Sequence, residues 1–246
     1  MRAPFSSLKE KFKSASVYFT NSGKDRFSDS DNISFLKACQ IEPFCGFLGG
    51  DTLYSMGSFS YSWSQLPSNT QVGRYCSIAK GVKILGTRHP MEWLSTSSFT
   101  YDSAFPIFKD LNSLEGDRFK VSQKPTSDST IMIGHDVWIG ANVVLKPGIT
   151  IGTGSVIAAS SLVVKDVAPY SVVGGNPGKL IKSRFDSETV NRLLKSEWWD
   201  YKFTDFADLN FKDPQEFCEQ LDAMVKQGHI EKFNPGFVNL HEIAIK

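Results

Sequence analysis

Ile133-Gly-His-Asp-Val-Trp-Ile139-Gly-Ala-Asn-Val-Val-Leu145-Lys-Pro-Gly-Ile-Thr-Ile151-Gly-Thr-Gly-Ser-Val-Ile157-Ala-Ala-Ser-Ser-Leu-Val163-Val-Lys-Asp-Val167 carries an aliphatic residue at every sixth position. The leading series is Ile133, Ile139, Leu145, Ile151, Ile157 and Val163. Four places on runs a second series of small or aliphatic residues, Val137, Val143, Ile149, Ser155, Ser161 and Val167, and Gly134, Gly140, Gly152 and Ala158 follow four of the leaders. An amphipathic helix repeats every 3.6 residues and a half-buried strand every two. Period six fits neither. It fits a solenoid in which each six-residue unit forms one short flat side.

Working backward, the rhythm first appears at Val72, Ile78 and Ile84, with Cys76 and Val82 in the fourth places, and then stops. Ile133 lies one position out of phase with Ile84, so residues 85 to about 130 are an excursion after which the solenoid is re-entered. A structureless loop of this length is unusual in a compact domain. Its aromatic residues, Trp93, Phe99, Tyr101, Phe105, Phe108 and Phe119, predict an ordered excursion at a site. Before it, Ser58-Phe-Ser-Tyr-Ser-Trp63 alternates small and aromatic residues, a strand pattern.

Residues 1–52 read as an N-terminal extension. A short amphipathic helix is expected within Lys9–Phe19, a turn at Asn21-Ser-Gly23, a strand or short helix within Ile33–Ile41, and a turn over Cys45–Gly50. After the coil domain, 53–182, the character changes. Gly174-Gly-Asn-Pro-Gly178 closes the coil, with Asn176-Pro177 a candidate cis bond. Ser187–Trp199 predicts a helix capped by Asp186 or Ser187, and Pro214–Gln227 a second one stopped by Gly228. Residues 183–246 are thus expected to be a helical region, with Phe233–Lys246 irregular or a short strand.

The totals agree with a globular protein. The 246 residues are 41% hydrophobic and 22% charged, with a formal net charge of +1. That balance argues against a general nucleic-acid partner. Four irregularly spaced cysteines, Cys39, Cys45, Cys76 and Cys218, lack metal-ligand spacing and read as reduced thiols in a cytoplasmic setting. No apolar run is long enough for a signal peptide after the basic Met1–Lys13 or for a transmembrane span.

Several residues carry a resemblance. They are the repeats, Arg88-His-Pro90 in the excursion, Asp136-Val-Trp-Ile-Gly140, the run Val164-Lys-Asp-Val-Ala-Pro-Tyr-Ser-Val-Val-Gly-Gly-Asn-Pro-Gly-Lys-Leu-Ile-Lys182, and Trp198-Trp199. Together they resemble the hexapeptide-repeat acyltransferases, in the xenobiotic acetyltransferase branch that includes chloramphenicol, streptogramin and polysaccharide O-acetyltransferases. The resemblance implies an all-β solenoid, a left-handed parallel β-helix of triangular section. It also implies a homotrimer with active sites between subunits, and acetyl-CoA as co-substrate with no metal required.

On that resemblance His89, followed by Pro90, is the catalytic base that takes the acceptor's hydroxyl proton, with Glu92 or a backbone carbonyl orienting it. Imidazole suits this task because it titrates near neutrality. His135 reads as structural or solvent-facing, and His229 and His241 attract no role. Trp138 is placed beside the thioester. Gly140, Ala141, Ala159 and Ser160 are placed along the pantetheine arm. Lys165, Lys179, Lys182 and Arg184 form a basic cluster suited to the coenzyme A phosphates. Tyr54, Tyr61, Trp63 and Trp93, with Tyr101, are candidates to stack on the acceptor. The expected acceptor is a saccharide hydroxyl in a surface polysaccharide or its precursor. An antibiotic hydroxyl, an amino sugar and a non-catalytic binding or structural solenoid are the alternatives.

Overall fold

The computed structural model describes residues 1–20, 22–86, 88–102, 104–121, 130–238 and 240. The chain divides into two compact units. The larger comprises Met1–Ile84 and Thr130–Lys246, and the smaller is Leu85–Ser129.

In the larger unit the six-residue rhythm becomes a rotation through three parallel sheets. Met132–Ile133, Trp138–Ile139 and Val144–Leu145 each begin a different sheet position, and each pairs in parallel with the strand eighteen residues on. The registers are Ile133 with Ile151, Ile139 with Ile157, and Leu145 with Val163. Every strand of this block is two residues long, one facing out and one facing in. The inward residues Ile139, Leu145, Ile151 and Ile157 are fully buried. Each contributes about 1.5–3 kcal/mol from burial.

On the other side of the excursion, Val72, Ile78 and Ile84 pair with Ile133, Ile139 and Leu145, a step of 61 positions instead of 18. The break at Ile84 is therefore an insertion, and the same three sheets continue across it. The coil also extends further toward the N-terminus than the rhythm indicates. Met56 pairs with Val72 and Ser62 with Ile78, a step of 16, and Phe47 pairs with Ser62. In the Ser58–Ser64 stretch the serines point inward and are buried, while Tyr61 and Trp63 point outward. Buried Ser60, Ser62 and Ser64 donate to the carbonyls of Gly73, Ser64 and Ala79, which satisfies their hydroxyls.

Cys45–Phe47, expected to be a turn, is a buried strand of the longest sheet. That sheet runs in the order Val17–Tyr18, Cys45–Phe47, Tyr61–Ser62, Ser77–Ile78, Trp138–Ile139, Val156–Ile157, Ser171–Gly174 and Lys179–Ser183. Its last strand returns antiparallel. Helix α1, Phe5–Ser14, precedes it and buries Phe5, Leu8 and Phe12. It begins earlier and ends earlier than expected, because Ser16 takes a left-handed φ of 54 and frees Val17–Tyr18 to pair with Cys45 and Gly46. Asn21, in the expected turn, lies outside the described residues.

The corners set the coil's geometry. Phe44, Phe59, Tyr75, Asp136 and Tyr170 all adopt positive φ, as does Gly154 in the same series. A non-glycine residue in that region costs about 1–2 kcal/mol. Successive turns offset this with hydrogen bonds between corners, such as Asp136 N–H to Arg74 O and Tyr170 N–H to Thr153 O. The rings of Phe44 and Phe59 also stack, with centroids 6.0 Å apart, and Tyr75 tilts against Phe59 at 4.8 Å. Gly73 shows how closely the turns approach: a Cβ there would lie 2.6 Å from the Gly134 carbonyl oxygen.

The Asn176-Pro177 bond is cis. The smaller unit carries helix α2, Pro106–Leu114; beyond the coil, helix α3 spans Ser187–Ser196, capped by Asp186, whose carboxylate accepts from Thr189 N–H at 2.8 Å. It stops before Trp198-Trp199 because Glu197 turns left-handed. Helix α4, Pro214–Lys226, is capped by Asp213. The two helices share a core of Leu193, Phe217 and Leu221 with Tyr170 and Tyr201.

Candidate active site

The smaller unit holds His89. Its Nδ1 lies 2.6 Å from the Thr96 carbonyl oxygen, so Nδ1–H donates there and Nε2 keeps its lone pair. The Tyr101 hydroxyl stands 3.4 Å from Nε2 and 2.9 Å from Nδ1, with the two rings edge to face at 5.5 Å. Of the two expected orienters, the backbone carbonyl is the one in contact. Glu92 instead faces Arg88 at 3.8 Å, and both are largely exposed. Trp93 is half-buried in this unit. Phe99, Phe108 and Phe119 pack edge to face beside a cavity of about 320 Å³.

In the larger unit, Trp138 faces outward and is 58% exposed. Its neighbours on the same face are Ser77 and Val156. Two positions further along the chain from each of these residues runs a second row on that face, Trp63, Ala79, Gly140, Ala158 and Gly174, linked by backbone bonds from turn to turn. The sequence reading singled out Gly140 but missed Ala79, Ala158 and Gly174. The signal was available as small residues in equivalent repeat positions. From Ala79 to Gly174 this row is a flat floor without side-chain bulk. Gly140 is required by the coil itself, because a Cβ would meet Ala159 N at 2.6 Å.

Ala141 and Ala159 lie at a neighbouring corner. Among the described residues neither of their N–H groups has a protein partner, whereas the Ala141 carbonyl accepts from Ser160 N–H at 2.8 Å. Two unpaired amides beside a small-residue floor suit an extended amide-bearing arm. Ser160 is exposed, with a left-handed φ of 60.

Lys165, Lys179 and Lys182 are exposed and form no ion pair among the described residues. Arg184 is different and corrects the expected basic cluster. It pairs with Asp136 at 2.9 Å, donates to the Gly154 carbonyl at 2.6 Å, and lies 5.3 Å over the rings of Tyr170 and Phe185. It is a strut between turns. Burial pushes the Asp136 carboxyl up, and Arg184 opposes that shift.

Tyr54 also needs correction. It is fully buried, its ring meets Phe47 edge-on at 5.1 Å, and its hydroxyl donates to the Ser64 carbonyl at 3.3 Å, so it offers no surface to an acceptor. Tyr61 and Trp63 do face outward, 42% and 39% exposed. His229 is exposed past α4. His241 lies outside the described residues.

A charge cluster that the sequence reading missed stands on another corner of the larger unit. Arg74 grips both oxygens of Glu42 at 2.7 Å and reaches Asp200 at 3.3 Å. His135 Nδ1 accepts from Arg74 N–H at 3.1 Å, and its ring stacks on Trp199 at 5.0 Å. Burial lowers the His135 pKa, so the ring is held neutral. Its role is structural. The partners are 32 and 126 positions apart along the chain, so no local pattern announces them. A groove of about 590 Å³ runs beside this cluster over Gln71, Met132 and Thr150. Among the described residues no group of His, Cys, Asp or Glu is arranged to hold a metal, and no helix is long and apolar enough to cross a membrane.

Comparison with known proteins adds to this geometry. The family model described as bacterial transferase hexapeptide (six repeats) matches residues 130–165. The chain is 41% identical over 144 residues to a probable macrolide acetyltransferase of Lysinibacillus sphaericus, covering 56% of this chain and 72% of that protein. It is 40% identical over 131 residues to a chloramphenicol acetyltransferase of Agrobacterium fabrum, 52% of this chain and 58% of that one. The chain thus spans a little over half the length of that chloramphenicol relative. A maltose O-acetyltransferase structure from Clostridium difficile 630 aligns with a TM-score of 0.36 at 27% identity, covering 54% of this chain and 60% of that one. With the repeat block matched and nearly three quarters of the macrolide relative covered, the chain belongs to the hexapeptide-repeat acetyltransferases of the xenobiotic type.

Proposed function

We propose that this acetyltransferase moves an acetyl group from acetyl-CoA directly to a saccharide hydroxyl, with His89 as general base. The observation that carries the reading is the His89–Thr96 contact, which puts the ring proton on Nδ1 and leaves Nε2 with its lone pair to accept one. Acetyl-CoA supplies the acetyl group as a thioester. His89 Nε2 takes the acceptor's hydroxyl proton as that oxygen bonds to the acetyl carbon, and gives it to the departing thiolate. No acyl group rests on the protein. A positioned base of this kind is worth about 10²–10⁴ in rate.

Trp138 flanks the thioester, the N–H groups of Ala141 and Ala159 bond the pantetheine amides beside Gly140 and Ser160, and Lys165, Lys179 and Lys182 meet the phosphates. In this reading the coil is a left-handed β-helix spanning 53–182, with 1–52 as its N-terminal extension and 183–246 as its helical C-terminal region. The working form is a cytoplasmic homotrimer with sites between subunits. The outward Tyr61, Trp63 and Trp138 support a sugar acceptor, because sugar rings stack on exposed aromatic faces.

A second reading, acetylation of an antibiotic, is favoured by the names of the macrolide and chloramphenicol relatives. Incubation with labelled acetyl-CoA and a panel of oligosaccharides, macrolides and chloramphenicol separates the two. Label entering the oligosaccharides supports the first reading. Label entering only the antibiotics refutes it.

A further inference from the structure

The register of the longest sheet aligns one position from each of six successive strands in a single row, which Val172 and Lys182 continue on the last two strands. Reading across the paired strands, the row is Tyr18, Gly46, Tyr61, Ser77, Trp138 and Val156. Aromatic residues occupy every second strand, and the strands between them carry glycine or serine. The three aromatics are 54%, 42% and 58% exposed, so none is used by the core. Neighbouring strands lie about 4.8 Å apart, which puts the backbone positions of successive aromatics about 10 Å apart and those of the outer two about 19 Å apart.

We infer that this row is a binding track for a neutral, extended β-1,4-linked glycan, lying across the strands with its end at Trp138. The inference rests on the saccharide reading above and deepens it, from a sugar hydroxyl to a polymer. In an extended β-1,4 chain every second ring presents the same face, and that two-ring repeat matches the spacing of Tyr18, Tyr61 and Trp138. Half-buried Ser77 leaves room for an intervening ring between Tyr61 and Trp138, and Gly46 is buried between the Tyr18 and Tyr61 positions. At Gly46 an added Cβ would meet Tyr61 Cβ at 3.3 Å and Leu48 Cδ2 at 3.5 Å, so side chains close the floor between the first two rings. The row from Tyr18 to Val156 contains no charged residue, which selects a neutral chain over an anionic one. A compact small molecule would cover one ring, not three.

The test measures binding of cello-, xylo- and chito-oligosaccharides of two and six rings by calorimetry, with the oligomeric state followed in parallel. At least one hexamer series should bind about tenfold more tightly than its dimer. Tyr18→Ala should remove most of that gain while Tyr18→Phe preserves it. The row carries no track if no hexamer gains over its dimer. The same conclusion follows if Tyr18→Ala leaves the gain intact, or if Tyr18→Ala instead dissociates the oligomer, which would make the row a subunit contact. Failure of length dependence with His89-dependent acetylation of a disaccharide retained would sink the track alone. Hexamer binding without acetylation of any saccharide would sink the functional reading alone.

Discussion

Replacing Glu42 with glutamine should destabilise the protein more than any surface charge change. Glu42 and Arg74 are 12% and 11% exposed, and their contact is a two-point grip at 2.7 Å. Glu42 also accepts the Ser58 N–H at 2.8 Å. Glutamine keeps the shape but removes the charge, leaving the guanidinium with Asp200 at 3.3 Å as its remaining carboxylate. Stranding one member of a buried pair costs about 3–5 kcal/mol. Asp200 remains in place, so the lower end, about 3 kcal/mol, is expected. For a chain of this size that corresponds to a fall in Tm of about 6–12 °C.

Circular dichroism and tryptophan fluorescence melts would measure the loss, since Trp199 lies beside the cluster through His135. The double variant Glu42→Gln/Arg74→Met removes the stranded charge and should recover about half of the loss. A single variant within about 0.5 kcal/mol of wild type would refute the reasoning. The pH dependence has a definite sign. Burial works against the Glu42 carboxylate, but the bonds from Arg74 and Ser58 outweigh it and hold the pKa below its usual range. The group therefore contributes stability above about pH 4.3, and that stability is lost as pH falls through the folded value.

His135, held neutral by burial against the pull of Asp200, contributes stability above about pH 6.5 that is lost as the pH falls; His135→Gln should flatten the slope of Tm against pH between 7 and 5. Gly73→Ala forces a Cβ against the backbone of Gly134 and should cost about 3 kcal/mol, while Gly86→Ala, which meets nothing within 4 Å, should stay within about 0.5 kcal/mol, both read from melts. Trp138→Ala should raise the KM for acetyl-CoA about tenfold with little change in Tm, because the indole is mostly exposed; an unchanged KM would remove Trp138 from the thioester site.

The coil was legible where its turns are eighteen residues long and its inner positions aliphatic. It was hidden where the steps shorten to 16 and the inner positions become Ser60, Ser62 and Ser64. A buried serine bonded to the next turn's carbonyl does the work of a valine there, and a hydrophobicity pattern cannot see it. Trp138 was legible as an outward residue because its neighbour Ile139 fixes the inward phase. Arg184 and Tyr54 were misread for opposite reasons. A basic residue after a coil end looks solvated until its partner Asp136, 48 positions earlier, is found. An aromatic beside a strand looks available until the packing of Phe47 covers it. The Glu42–Arg74–Asp200 cluster left no local trace because the fold alone assembles it.

Acetyl transfer by His89→Ala tests the central claim most directly. The variant should retain the wild-type Tm and its affinity for acetyl-CoA, because His89 is exposed and, among the described residues, its ring nitrogens bond only to Thr96 and Tyr101. Its transfer rate to any acceptor accepted by the wild type should fall by about 10²–10⁴. A variant that transfers acetyl groups at the wild-type rate would contradict the account.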